Sequence, residues 1–327
     1  MYMSYFKQGF ASGLNVRGVP LVQTHPGQVF WVSNAATTTV ALPVGGLTGS
    51  DNAGQNNGTF HKPFKTLAFA LSQTKVGRGD IIFLKPGHAE TVSSATALTF
   101  STTNVAIVGL GVGSFRPAFT LDTANTSTIN VTANGVTIMG VRFIANFLAI
   151  AACFTLTTAK DLQLVDCEFL DTSAVLNFLN IVTTDTTSND ADGLTIDSCK
   201  AFLLATSGAV NMLSALGTND RVNIQLNYWQ TPTTNAGAVI PIATGKILTN
   251  FRLMSNYFNL KNATGTTTGY IITTNGSTNS GFIDGNKDFS LPTTPLFCTA
   301  SSGFVYGANI HSDAADLQGY PVPAADV

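Results

Sequence analysis

Asp166 and Glu168 stand two residues apart in a stretch that reads as a strand, so their side chains share a face. Asp197 follows about one repeat further on, and Asp185, Asp190 and Asp192 sit in the longest loop between them. Two carboxyl groups held roughly 5–9.5 Å apart in a cleft are what cleavage of a glycosidic bond requires. Asp166, Glu168 and Asp197 are therefore the candidate catalytic residues. A plainer reading competes with this one. The loop aspartates are ordinary polar residues, and Glu168 is engaged by Arg142 and Lys200. Ion-pair ladders readily imitate active sites. The plainer reading is preferred, no catalytic residue is assigned, and the chain is read as not an enzyme.

Other chemical signals dissolve on inspection. Gly109-Leu110-Gly111-Val112-Gly113 mimics a dinucleotide fingerprint, but Phe115, Pro117 and Phe119 stand where the phosphate-binding helix should start. Arg78-Gly79-Asp80 reads as a turn. His25, His61, His88 and His311 lack metal-ligand spacing, and Cys153, Cys167, Cys199 and Cys298 form no CxxC. No metal and no cofactor is expected.

Composition narrows the classes. Of 327 residues only 10% are charged while 44% are hydrophobic, and the balance is Thr, Ser, Asn and Gly. Such a mixture favours strands and turns. A surface so poor in charge suits burial against copies of itself or a neighbour. The net charge is −2, with no basic stripe, so no nucleic-acid partner is expected. No stretch reaches the ~18 apolar residues of a membrane span. Met1 to Lys7 lacks a signal-peptide layout, which implies synthesis in the cytoplasm and reduced cysteines.

The elements that would position these residues come next. Residues 1–28 lack periodicity and read as an extended arm that needs a partner surface, with Phe6, Phe10, Leu14, Val19, Leu21 and Val22 as its contacts. Val29 to Val32 is a short strand. Pro63 opens a helix near 63–75 with Phe64, Leu67, Ala68 and Leu71 on one face. Asp80 to Leu84 starts another strand.

From there one phrase recurs: apolar, polar, apolar, then an aromatic seven or eight places after the first residue. It begins at Val136, Leu162, Leu194, Val222 and Phe251, with weaker copies at Phe282 and Phe304. The intervals are 26, 32, 28, 29, 31 and 22 residues. A strand-like period near 28 is one turn of a β-solenoid, with coils stacked ~4.8 Å apart. The predicted fold is all-β, a right-handed parallel β-helix over residues 29–311, followed by an extended tail over 312–327.

Stacking turns the phrase into columns. Five places after its first residue stand Val141, Cys167, Cys199, Asn227, Asn256 and Lys287. Asn side chains in such a column bond to one another along the axis. One place further stand Arg142, Glu168, Lys200, Tyr228, Tyr257 and Asp288, where alternating charge is favourable between neighbouring strands. The expected structural stacks are Cys167–Cys199, Asn227–Asn256 and Arg142–Glu168–Lys200.

The stretch Gly49-Ser50-Asp51, Pro63-Phe64-Lys65-Thr66-Leu67 and Gly79-Asp80-Ile81-Ile82-Phe83-Leu84-Lys85-Pro86-Gly87 resembles the opening of pectate-lyase-like β-helix proteins. That resemblance implies a helix capping the first coil. It extends over roughly residues 29–311, and its lyases need a Ca²⁺-binding aspartate cluster with a basic residue, for which no match is found here. Gly18-Val19-Pro20-Leu21 and Thr24-His25-Pro26-Gly27-Gln28-Val29-Phe30-Trp31-Val32 is similar to the start of bacteriophage virion proteins carrying this fold. It implies a homotrimeric structural protein of the virion, a head decoration or head fibre. Its partners would be itself and other virion proteins, the major capsid protein above all. The alternative is a tailspike-type enzyme that binds or degrades host surface polysaccharide.

Overall fold

The computed structural model describes residues 14–16, 19–21, 27–34, 49–52, 54, 57–205, 210–233, 239–262, 268–273, 278–288, 294–298, 303–311 and 320–321. Most of them form a parallel β-solenoid with three walls. Wall A has ten parallel strands, Val29–Val32, Ile81–Leu84, Ala106–Gly109, Thr137–Met139, Gln163–Val165, Thr195–Asp197, Asn223–Gln225, Phe251–Met254, Gly281–Asp284 and Phe304–Tyr306. Wall B runs beside it from Ala89–Val92 through Arg142–Ala145, Glu168–Asp171 and Lys200–Phe202 to Ile310–His311. Wall C starts at Leu98–Phe100, and its first five strands end at Asn211–Ser214.

Each wall buries one row of side chains in register. In wall A the row is Ile82, Ile107, Ile138, Leu164, Ile196, Ile224, Leu253 and Ile283, all buried. Branched aliphatics fill a pleated surface well, and each contributes roughly 1.5–3 kcal/mol on burial. In wall B the rings of Phe119, Phe143 and Phe169 stack 6.1 and 5.6 Å apart. Ala201 comes next in that row, then Trp229, Phe258 and Asp288. Phe202, the aromatic eight places after Leu194, faces outward, one residue past the inward position that Ala201 takes. Phe289 lies outside the described residues.

The coils turn through single residues in the left-handed region. Asp166, Ser198, Leu226 and Ser255 turn wall A into wall B with φ between 48° and 58°. Between walls C and A the same conformation recurs at Asp161 and Gly193. At Gly193 a Cβ would lie 2.1 Å from the Asp161 carboxylate beneath it, so any larger residue would have to push that side chain aside.

The helix, α1, spans Leu67–Ser72 and is shorter than the expected 63–75. Thr66 is its N-cap, accepting from the Phe69 N–H. Pro63 and Phe64 lie outside because the Phe64 N–H donates to the Trp31 carbonyl, extending wall A instead. The buried face is Leu67, Ala70 and Leu71, while Ala68 is exposed. Glu90 heads the inward row of wall B. It accepts the Leu67 N–H at 2.6 Å and bonds His88 Nε2 at 2.7 Å, tying α1 to the first coil. Arg78-Gly79-Asp80 is a turn with Asp80 buried. Burial alone would raise its carboxyl, but hydrogen bonds from Arg78 and from the Gln28 and Lys75 N–H groups outweigh that and hold it below the usual range.

At the N-terminal side Leu14–Val16 and Val19–Leu21 pair antiparallel. Phe6, Phe10 and Val22 lie outside the described residues. Within the expected tail, Tyr320–Pro321 returns antiparallel along Ile310–His311.

The Asn column is longer than expected. Phe251 pairs with Gly281 and Gly281 with Phe304, so the last two intervals are 30 and 23 residues. Gly281 sits hard against the Phe251 backbone, where a Cβ would come within 2.0 Å of the carbonyl oxygen, while Phe282 faces outward, 55% exposed. The shift removes Lys287 from the column and puts Asn286 there, followed by Asn309. Asn256 shows the unit of the ladder. Its Nδ2 donates to the Ile224 carbonyl and to Asn286 Oδ1, both at 2.9 Å. Its Oδ1 accepts from Asn227 N and Nδ2 at 3.0 and 2.9 Å. Cys167 and Cys199 head the same column, with thiols donating to the Ile138 and Leu164 carbonyls as the amides do below them. Asn256→Ala, which strands several buried groups, should lower stability by about 2–4 kcal/mol in denaturant unfolding, and Asn309→Ala at the open end by about half that. Equal losses at the two sites would mean that the rungs do not support one another.

Candidate functional site

The three candidate residues lie at the corner between walls A and B, where Arg116 joins the carboxylates of Asp166 and Glu168 and the Asp197 carboxylate has other partners. Asp166 is the corner residue of its coil, Glu168 opens the following strand, and Asp197 ends the wall A strand one coil on. The Asp166 N–H donates to the Asp197 carbonyl at 3.0 Å. Asp197 accepts from Ser198 Oγ at 2.8 Å and from Gln225 Nε2 at 3.0 Å.

Arg116 organises the first two. It follows the short 3-10 turn Gly113–Phe115 and reaches forward along the corner to the coil two turns on, with its side chain only 7% exposed. One terminal nitrogen donates to the Asp166 carbonyl, and the other reaches both carboxylate oxygens at 3.2 and 3.3 Å. Its Nε lies 3.4 Å from Glu168 Oε1. Arg142 takes the opposite oxygen, with Nε at 2.9 Å and Nη2 at 2.8 Å from Glu168 Oε2. Two guanidiniums therefore face two carboxylates, and the cluster is neutral as a unit.

The Arg142–Glu168 rung of the expected charge ladder is present. The Lys200 rung is not: Lys200 sits in register beside Glu168 but is exposed, and no ion pair joins them among the described residues. Arg116 supplies the second cation instead. Asp288 also leaves its expected column. Lys287 pairs with Tyr257, and Asp288 turns inward. Tyr228 and Tyr257 stack 5.0 Å apart on the outer face of wall B.

Sequence reading passed over Arg116 because it lies 50 residues from Asp166, in a loop with no column of its own. A signal existed: it is the only lysine or arginine between Lys85 and Arg142. Among the described residues, no group of three or more His, Cys, Asp or Glu could hold a metal ion. The four cysteines are buried thiols, and burial pushes Cys153 and Cys199 well above the ordinary range.

Asp166 is more open than Glu168, at 38% against 17% side-chain exposure, with both its oxygens within reach of Arg116. The carboxyl with a proton affinity suited to acid–base work lies elsewhere. Asp171, where wall B leaves towards wall C, is pushed up to about 6 by burial, against the opposing backbone N–H bonds of Leu204, Phe178 and Ala205. It is only 7% exposed, so it serves to tie loops of adjacent coils together.

No family model matches the chain, and no curated protein matches it. Two solved structures resemble it. One is a rhamnogalacturonan lyase, 13% identical, covering 91% of this chain and 90% of its own, with a TM-score of 0.43. The other is ORF18 of Geobacillus virus E2, 13% identical, covering 75% of this chain and 56% of its own, with a TM-score of 0.36. The expectation that the chain is not an enzyme is corrected by the first, since an enzyme stands among the proteins it resembles in fold. No described helix is long and apolar enough to cross a membrane.

Asp171 gives a pH test. Its folded value of about 6 exceeds the ordinary 3.8, so its stabilising contribution is complete below 3.8 and is lost as pH rises through 6. Lowering pH from 7.5 to 5 should therefore raise stability by roughly 1–2 kcal/mol in urea unfolding, and Asp171→Asn should flatten the response. A flat response over that window in the natural chain would show that the N–H bonds offset burial.

Proposed function

We propose that the chain is a structural protein of a bacteriophage virion. In this reading it is a homotrimeric head decoration or head fibre, made in the host cytoplasm and attached through residues 1–28 to other virion proteins, the major capsid protein first among them. The observation that carries this reading is the outer surface of the solenoid. Few charges occupy it, while large apolar side chains such as Leu148, Val175, Phe202 and Phe282 stand exposed on it. Wholly parallel sheets are ordinarily covered on both faces, so such walls suit a protein that works inside an assembly. Deleting residues 2–28 should leave a folded solenoid, seen by circular dichroism, that no longer joins particles in a reconstitution assay. Undiminished incorporation of the truncated chain would end the attachment role of the arm.

One observation favours a second reading, a tailspike-type protein that binds or degrades host surface polysaccharide. Asp166 is partly open at a corner it shares with Asp197 on the next coil, beside the outer face of wall B. Purified protein should then release reducing ends or unsaturated sugars from host glycan, and Asp166→Asn should lower the rate at least a hundredfold. Unchanged turnover in that variant would remove Asp166 from the chemistry, and absence of turnover by the natural chain would remove this reading.

A further inference from the structure

We infer that copies of this chain meet through the corner joining wall B to wall C, over the three coils that begin at Val136, Leu162 and Leu194. The inference rests on the reading of the protein as a multi-copy component of a particle, and it names the surface that such copies use.

Leu148, Val175, Leu179, Phe202 and Leu204 are each between 41% and 60% exposed. Register and hydrogen bonds make them one patch. Leu148 bridges to Leu176, next to Val175, and the Leu179 N–H donates to the Ile150 carbonyl. Asp171 accepts the Phe178 N–H through one oxygen and the Leu204 N–H through the other. Phe202 lies on the rung beside Leu170, and Leu170 on the rung beside Ile144.

Area and charge together point to the occupant. At these exposures the five side chains leave on the order of 400 Å² of apolar surface in water. With the usual polar rim of about two-fifths, the whole contact comes to roughly 700 Å² per copy. A standard interface takes about 800 Å² from each partner. Asp171 is the ionisable group beneath the patch, and it is buried and committed to backbone N–H groups. The charged side chains flank the patch: Arg142, Glu168 and Lys200 precede it in each strand, and Asp185, Asp190 and Asp192 follow it beyond wall C. Symmetric association sets a surface against the same or an adjoining surface of its copy. An uncharged patch can be its own complement, whereas a column of like charge would repel itself. A second copy therefore fits this corner.

The test uses the full chain. Val175→Asp with Leu204→Asp places two charges on the patch at exposed positions. Light scattering after size exclusion should show an oligomer for the natural chain and a monomer with an unchanged dichroism spectrum for the variant. Leu226→Asp, equally exposed at the corner between walls A and B, should remain oligomeric. A second measurement covers misfolding of the charged variant. Val175→Cys, treated with a short bis-maleimide, should give cross-linked chains, because the four native thiols are buried. Patch variants that stay oligomeric, a control that also dissociates, or no cross-link at position 175 would each overturn the assignment. A natural chain that is monomeric at all concentrations overturns self-association, while its continued incorporation into particles would leave the virion reading standing.

Discussion

Everything in this molecule depends on in-register stacking of parallel strands. A strand of wall A or wall B, except at the ends, completes its hydrogen bonds only on the coils before and after it, ~4.8 Å away. Within a wall one offset between two coils fixes every neighbouring pair, while loops of unequal length let the offset differ between walls: Thr137 lies beside Ala106, 31 residues back, and Arg142 beside Ala118, 24 back. The inward rows follow: one strand's isoleucine lies on the next strand's isoleucine, ring on ring, amide on amide. A buried amide in isolation would be costly. In the Asn ladder each carboxamide meets the same geometry above and below, so the cost is met by repetition. The cysteines at the head of that column keep the donation to a carbonyl, and Cys199 keeps the axial bond from its N–H to Asn227 Oδ1.

The same stacking explains the candidate site. A charged column on an outer wall is forced into close lateral contact, so it must alternate in sign or find a counterion from a loop. Glu168 has both, with Arg142 on the adjoining rung and Arg116 reaching across from the corner two coils earlier. Asp166 is drawn into the same strap through its carbonyl and its carboxylate. Arg116, Arg142, Asp166 and Glu168 are thus consumed in holding the corner.

What was legible in the sequence was whatever repeats. The period, the wall A row and the pairs Cys167–Cys199, Asn227–Asn256 and Arg142–Glu168 all follow from counting along the phrase. One failure came from taking hydrophobicity as the marker of the inward side. Phe282 was taken as the start of a copy although Gly281 holds that place, which hid Asn286 and Asn309. Phe202 closes its copy of the phrase although Ala201 is the inward residue and Trp229 follows it in the row. Arg116 failed for a different reason: a long side chain crossing from a loop has no period to betray it. The helix was overextended because Phe64 fits a helical face and a strand edge equally well by pattern, and the Trp31 carbonyl decides between them.

The return of Tyr320–Pro321 along Ile310–His311 has a consequence for assembly. A parallel solenoid is a template without a natural stop, because its last coil offers the same unpaired backbone that each earlier coil offered to its successor. Reversing the chain direction at wall B presents an antiparallel pattern that the first coil of another molecule cannot continue. At the opposite end, the residues around Phe64 occupy the edge of wall A and α1 closes the first coil. End-to-end growth into an open fibre is thereby obstructed at both termini, and association between molecules is directed sideways, into closed groups of limited number.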